Sequence, residues 1–315
     1  YELHPQKYII TSKDAPHNAL QRAGHGDIVD TPDGKTYVVH LSGRPTTQKR
    51  RCVLGRETAI QEAYWAEDDW LYVKNGPVPS LYVDLPAARD DTPYWAEKFY
   101  TFSAKDGLHK DFQWLRTPET ERIFNVKDGE LQLTGRESIG SWFEQALVAR
   151  RQTHFSYDAE TTVSFSPYDE RQFAGLTAYY CRFNFFYLTV TAHSDGQREL
   201  LILSSEASWP DGNLKFPLAD PVKIPQEGKV RLALSIRGKA LQFSYALEGE
   251  ELKNIGPVYD ASILSDECGG HQAHGSFTGA FVGVAASDIN GTETKASFEY
   301  FIYRPVEHES DRYEI

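Results

Sequence analysis

From about residue 96 onward, apolar and polar residues alternate with a period of two. In residues 229–237, Val230, Leu232, Leu234 and Ile236 point one way, and Arg231, Ala233, Ser235 and Arg237 point the other. After the turn Gly238-Lys239 the pattern resumes on a returning strand with Leu241, Phe243 and Tyr245, and it recurs in Ala296, Phe298, Tyr300 and Ile302. Residues 161–165, 175–180, 185–190 and 200–203 read as further strands between these. A strand places successive side chains on opposite faces, so this alternation, broken by turn signals every 8–15 residues, predicts two antiparallel sheets packed face to face as a jelly roll. No segment carries a sustained 3.6-residue apolar stripe. The best helical candidate is the short run 141–150.

The N-terminal part has a different texture. Residues 27–30 lead into the turn Thr31-Pro32-Asp33-Gly34 and a strand over 36–41, and strands over 58–65 and 70–73 flank the acidic turn Glu67-Asp68-Asp69. Hairpin after hairpin with aromatics at strand ends belongs to propellers or sandwiches. Four or five short strands can neither bury two faces nor close on themselves, so residues 1–78 are expected to be part of something larger. The stretch 79–95, with Leu85-Pro86 and Asp90-Asp91-Thr92-Pro93, reads as a linker. The sandwich is expected over 96–305 and a tail over 306–315.

Composition narrows the partners. The chain has 315 residues, 13% aromatics and a formal net charge of −12. A phosphate backbone needs a basic footprint, so nucleic acid is excluded as a partner, and neutral or weakly charged ligands suit the surface better. No apolar run approaches the roughly 18 residues of a membrane span, so no membrane is expected. Aromatics suit β-structure, and they also suit sugar binding. Cys52, Cys181 and Cys268 lie far apart without metal-ligand spacing, which argues against a zinc site or a disulfide scaffold and leaves room for at most one long-range bridge. Asn290-Gly291-Thr292 is a single glycosylation sequon, a number chance alone supplies.

Two short motifs stand out as candidate chemistry. In Ala23-Gly24-His25-Gly26-Asp27, a histidine between glycines lies on a tight turn, where its ring either bonds to backbone or projects into the space the turn faces. In Cys52-Val53-Leu54-Gly55-Arg56-Glu57-Thr58, an arginine set into an apolar strand is costly to bury unpaired. It forms a structural pair with Glu57 or another carboxylate, or its planar fork grips sugar hydroxyls or orients a catalytic carboxylate.

With their spacing, these motifs carry a resemblance. The run Gln21-Arg22-Ala23-Gly24-His25-Gly26-Asp27, then His40-Leu41-Ser42-Gly43-Arg44-Pro45, then the stretch from Cys52 to Gln61 closely resembles the last blade of family 43 glycoside hydrolases. These are β-xylosidases and α-L-arabinofuranosidases built on a five-bladed β-propeller. Leu133-Thr134-Gly135-Arg136-Glu137-Ser138, the stretch from Phe143 to Gln152, and Gly275-Ser276-Phe277-Thr278-Gly279-Ala280-Phe281-Val282-Gly283 resemble the accessory β-sandwich of the same enzymes, most of all the filamentous-fungal members.

The resemblance implies an all-β chain: an incomplete five-bladed propeller, present as its final blade region, followed by a concanavalin-like sandwich. It implies that His25 lies at the propeller axis beneath the sugar pocket, where some members coordinate a divalent cation such as calcium. No cofactor is required. Arg56 would bind sugar hydroxyls or the catalytic acid, and Phe277 would lean over the propeller and wall the pocket, against the alternative of core packing beside Phe281. Members invert the anomeric carbon with an Asp base and a Glu acid, assisted by a further Asp. None of Asp27, Asp30, Glu57, Glu62 or the Glu67-Asp68-Asp69 turn matches those motifs, so all three carboxylates are expected N-terminal to Tyr1, in a preceding propeller segment that is this chain's partner. The chain is then expected to be a truncated or processed product, inactive alone. Joined to that segment it would release xylose or arabinose from arabinoxylan or xylo-oligosaccharides, as a secreted enzyme or, as oligosaccharide-cleaving members often are, an intracellular one. The competing expectation is a non-catalytic xylan-binding sandwich.

Overall fold

The computed structural model describes residues 1–46, 50–85, 90–206, 214–268 and 277–311. Its first sheet has four antiparallel strands in sequence order: β1 (Gln21–Asp30), β2 (Thr36–Gly43), β3 (Glu57–Trp65) and β4 (Leu71–Val73). This is the up-and-down meander of a propeller blade. Its apolar face gathers Val38, Ala63, Leu71 and Val73, with Ile9 and Ile10 of the preceding segment packed on them. His4 anchors that segment, its Nε2 lying 2.9 Å from the Leu71 carbonyl and its ring against Trp70 and Tyr72.

The remaining strands are β5 (Lys98–Thr101), β6 (Phe112–Trp114), β7 (Phe124–Lys127), β8 (Glu130–Thr134), β9 (Ala146–Arg151), β10 (Tyr157–Ser164), β11 (Gln172–Cys181) and β12 (Asn184–Ala192). They continue with β13 (Arg198–Glu206), β14 (Leu214–Lys215), β15 (Val222–Lys223), β16 (Val230–Arg237), β17 (Ala240–Leu247), β18 (Lys253–Asp260), β19 (Phe281–Asp288) and β20 (Lys295–Pro305). They form two eight-stranded sheets. One runs β18-β17-β16-β10-β20-β8-β7 with β5 beside β20, and the other runs β14-β13-β12-β11-β19-β9-β6 with β15 beside β13.

One core lies between the sheets, where Leu232, Leu234, Phe243 and Phe298 of the first meet Leu176, Phe186, Leu188 and Val284 of the second. The alternation legible in residues 229–237 is this inner face. The pairing of Arg237 with Ala240 closes the hairpin across Gly238-Lys239, with Gly238 at φ 57.

The second sheet is buried on its outer face as well, where Leu147, Phe173, Phe185, Tyr187, Leu201 and Leu203 pack with Ile139. Burial on both faces erases alternation, as in strands covered on both sides generally. That explains the main correction to the sequence reading. The helical candidate 141–150 is instead a turn followed by β9, whose Ala146-Leu147-Val148-Ala149 run is wholly buried.

The segment between blade and sandwich is bonded at both ends. Asn18 Nδ2 donates to the Pro79 carbonyl at 2.9 Å, and Gln61 exchanges two hydrogen bonds with the backbone of Ser80. A single helical turn, α1 (Thr92–Trp95), lays the Tyr94 and Trp95 rings on His154, with centroids 3.9 and 4.9 Å away. Burial, together with the nearby Arg150 and Arg44 guanidiniums, pushes the His154 pKa down to about 4, so this ring is uncharged at neutral pH. Pro86 of the linker reading lies outside the described residues, as do residues 312–315 of the tail.

Blade and sandwich also meet directly. The loop before β3 buries Cys52, Val53 and Leu54, and Val53 and Leu54 pack on Phe155 of the sandwich. Ala280 N donates to the Val53 carbonyl at 2.8 Å. Gly55 sits at φ +71, and a Cβ there would stand 1.7 Å from the Thr278 carbonyl oxygen. Only glycine allows both that backbone conformation and that approach.

Stability is testable at this seam and at one buried carboxylate within the sandwich. Gly55→Ala should cost about 2–4 kcal/mol in urea unfolding, from the sum of left-handed strain and overpacking. A cost below about 0.5 kcal/mol would mean the seam yields freely.

That carboxylate is Asp288, which is 3% exposed and accepts from Asn290 N, Gln172 Nε2, Thr292 Oγ1, Thr294 N and Thr294 Oγ1. Burial alone would raise its pKa, but these donors together hold the carboxyl below its ordinary value. The carboxylate therefore contributes fully above the unfolded-state pKa of about 3.9, and its contribution is lost as pH falls through the lower folded-state value. Asp288→Asn turns one acceptor into a donor facing donors, and should cost about 2–3 kcal/mol at pH 7 and progressively less below pH 4. A cost independent of pH would contradict this account.

Candidate functional site

Arg56 leaves the backbone where the 52–56 loop crosses residues 278–280 of the sandwich. It lies just ahead of β3 rather than within a strand, as the sequence suggested. Of the two carboxylate pairings considered, with Glu57 or with another carboxylate, the one with Glu57 is absent. Glu57 receives both arms of Arg44 at 2.9 and 2.8 Å, while Arg56 turns to the sandwich.

There the Arg56 Nη1 lies 3.0 Å from Asp266 Oδ2, with the Asp266 side chain fully excluded from solvent and that of Arg56 only 13% exposed. Neither atom is in an aligned hydrogen bond, so the contact is an ion pair by distance alone. The hydroxyl of Tyr180, at the end of β11, donates to Asp266 Oδ1. Burial pushes the Asp266 carboxyl above its ordinary pKa, against the opposing pull of the Tyr180 hydroxyl and of Arg56 and Arg22. The adjacent Glu267 accepts from Arg22 Nε and Nη2 at 3.2 and 2.7 Å and from Cys52 N at 2.7 Å. Burial opposes its charge, but the Cys52 N–H and the Arg22 guanidinium hold its pKa below the usual value. Burial, with this carboxylate beside it, drives the Cys52 thiol up to about 12, so the sulfur is inert at neutral pH. All three cysteines are unbridged.

The Phe277 ring also stacks on Arg56, its centroid 5.2 Å from the guanidinium carbon. The ring is 66% exposed, so core packing beside Phe281 is not its role. The residue sits at φ 51, a costly conformation outside glycine, and such strain concentrates at ligand clamps. Gly275 and Ser276 of the same motif lie outside the described residues.

His25 is on a strand rather than a tight turn. It occupies an irregularity of β1, between the Gly24–Leu41 and Asp27–Val39 pairings, at φ 49. Gly26 beside it is tightly packed, since a Cβ there would meet Val38 Cγ1 at 3.1 Å. The His25 side chain is exposed, and no three His, Cys, Asp or Glu side chains converge on a metal position among the described residues. A single imidazole does not supply the six to eight oxygen ligands calcium takes, so these residues do not by themselves form a calcium site.

Three of the other N-terminal carboxylates have local partners. Asp30 accepts from Thr36 Oγ1, Glu62 from Lys74, and Asp68 from the Tyr72 hydroxyl and Trp70 N. The sequence reading did not single out Asp266, Glu267 or Tyr180. The available signal was Arg22 on β1 and Arg56 just ahead of β3, two charges close to apolar positions that call for carboxylates from elsewhere.

The chemistry of this cluster is anchoring without acid–base action. A planar cation and an exposed ring are held at the junction of two sheets, suited to a neutral polar ligand with one apolar face. On the outer face of the second sheet, the rings of Phe173, Phe185 and Tyr187 are themselves buried.

Comparison with known proteins matches both parts of the chain. Residues 100–304 fit the family model described as "Beta xylosidase C-terminal Concanavalin A-like domain", and residues 1–71 fit that of "Glycosyl hydrolases family 43". The chain is 80% identical over 316 residues to a Humicola insolens protein named "Xylosidase/arabinosidase 43B", covering 100% of this chain and 58% of that relative. It is 37% identical over 316 residues to a "Beta-xylosidase" of Bacillus subtilis, covering 96% of this chain and 58% of that one. A solved "xylan beta-1,4-xylosidase from Bacillus Halodurans C-125" superposes with a TM-score of 0.82 at 35% identity, over 96% of this chain and 57% of the other. The chain thus spans under two thirds of the length of these relatives. With one propeller-type blade packed on a two-sheet sandwich, and with both parts matching in order, the chain belongs to glycoside hydrolase family 43.

Proposed function

We propose that this chain is the C-terminal part of an inverting glycosidase that releases a pentose, xylose or arabinose, from arabinoxylan or xylo-oligosaccharides. The observation that carries the reading is Arg56. Its guanidinium is held at the blade–sandwich junction beneath an exposed aromatic ring, with no hydrogen bond to the rest of the chain among the described residues. An unspent planar donor fork beside a ring suits a sugar, whose hydroxyls accept and whose C–H face packs. His25, exposed on β1, would line the end of the same pocket nearest the propeller axis.

In this reading the acid and base carboxylates belong to propeller blades supplied by a preceding segment, the chain's partner. In an inverting pair they stand roughly 6.5–9.5 Å apart to admit a water. This chain's part is to bind and orient. Arg56 donates to ring hydroxyls, and those contacts tighten as the ring distorts toward its oxocarbenium-like transition state. Phe277 excludes water from one side.

The test uses the intact enzyme on aryl β-xyloside and aryl α-L-arabinofuranoside, with the anomer of the first-formed sugar read by NMR. The predicted product has inverted configuration, and the present chain alone releases no pentose from either substrate. Arg56→Ala should lower kcat/KM about 10³-fold or more, since a charged donor set is lost and its partners are stranded. An effect below about tenfold, or pentose release by the isolated chain, would refute the reading.

A further inference from the structure

We propose that Asp266, a residue of the sandwich, is a positioning residue that fixes the Arg56 guanidinium in the pentose pocket. The inference rests on the role assigned to Arg56 above. Four arginines of the N-terminal part lie within ion-pair distance of carboxylates, and Arg51, 3.9 Å from Asp260, spends its Nη1 on the Ser262 hydroxyl instead. Arg44 spends Nε and Nη2 on Glu57, and Arg22 spends the same two nitrogens on Glu267. These are directed, multi-bond forks of the kind that lock structure. Arg56 differs: its Nη1 is 3.0 Å from Asp266 Oδ2, yet no N–H is aimed at that oxygen. Among the described residues the guanidinium is held by this charge contact and the Phe277 ring, with no hydrogen bond spending its donors.

A carboxylate with no solvent exposure costs several kcal/mol unless it is compensated, so Asp266 needs its cation as much as Arg56 needs its anchor. The anchor is itself braced. The Tyr180 hydroxyl donates to Oδ1, and the neighbouring Glu267 is tied to Arg22 and to the Cys52 backbone. Residues 266 and 267 therefore clamp two separate pieces of the blade, β1 through Arg22 and the 52–56 loop through Cys52 and Arg56. The Phe277 ring lies 5.2 Å from the same guanidinium. The sandwich thus supplies both the charge that aims the subsite arginine and the ring that confines it.

The experiment is a double-mutant cycle in the intact enzyme with an activated aryl pentoside, following kcat and KM together with the melting temperature. Asp266→Asn should lower kcat/KM at least tenfold in the parent. In the Arg56→Ala background it should lower it less than twofold, because there is no guanidinium left to position. Tyr180→Phe, which keeps the charge pair and removes its brace, should lower kcat/KM several-fold with the same dependence on Arg56. If Asp266→Asn acts equally in both backgrounds, or acts less than twofold in the parent while Arg56→Ala is severe, the proposal is wrong and the role of Arg56 stands. If Arg56→Ala is itself mild, both fail together. If Asp266→Asn does not fold, Tyr180→Phe decides, and unchanged kcat/KM in that variant overturns the proposal.

Discussion

The approach of Gly55 to the Thr278 carbonyl is the constraint on which the rest of the structure depends. It brings a blade loop and a sandwich segment closer than any side chain permits, and it does so one residue before Arg56 and one residue after Phe277. The guanidinium and the ring meet because their backbones touch. The Ala280–Val53 hydrogen bond and the Val53, Leu54 and Phe155 cluster hold the contact from behind. A four-stranded sheet with a small apolar cluster is stabilised by what it packs against, and here the sandwich supplies that surface.

Electrostatics at this seam divides the labour. The directed pairs Arg44–Glu57 and Arg22–Glu267 consume their donors and fix geometry. The misaligned pair Arg56–Asp266 neutralises a buried charge and leaves donors over. Arg198 and Arg231 also carry unpartnered buried nitrogens, and what sets Arg56 apart is the exposed Phe277 ring beside its guanidinium. In the proposed enzyme, the accessory sandwich would be part of the subsite rather than an appendage to it.

Much of the fold was legible in the sequence, for reasons that also explain the failures. Strands with one buried face, such as β16 and β17, announce themselves by alternation, and Gly238-Lys239 marks their turn. Strand β9 was hidden because both of its faces are covered, so a run of Ala, Leu and Val carried no period. His25 was placed on a turn because two flanking glycines suggest one, yet here they permit a bulge within a strand. Arg56 was correctly singled out as a costly charge in apolar company, but its partner lies 210 residues away in Asp266, beyond the reach of local pattern. Tyr180 was invisible as a site residue because it terminates a strand buried along nearly its whole length. What sequence resolved was which residues are chemically expensive. Only the fold shows which element compensates each of them.

The most direct measurement is a crystal structure of the intact enzyme with a pentose-containing ligand in its pocket. The account predicts an Arg56 nitrogen within about 2.7–3.2 Å of a sugar oxygen, with the Asp266 contact and the Phe277 ring still in place around the guanidinium. A sugar bound out of reach of Arg56, with the guanidinium turned fully onto Asp266 in a directed two-bond fork, would contradict it.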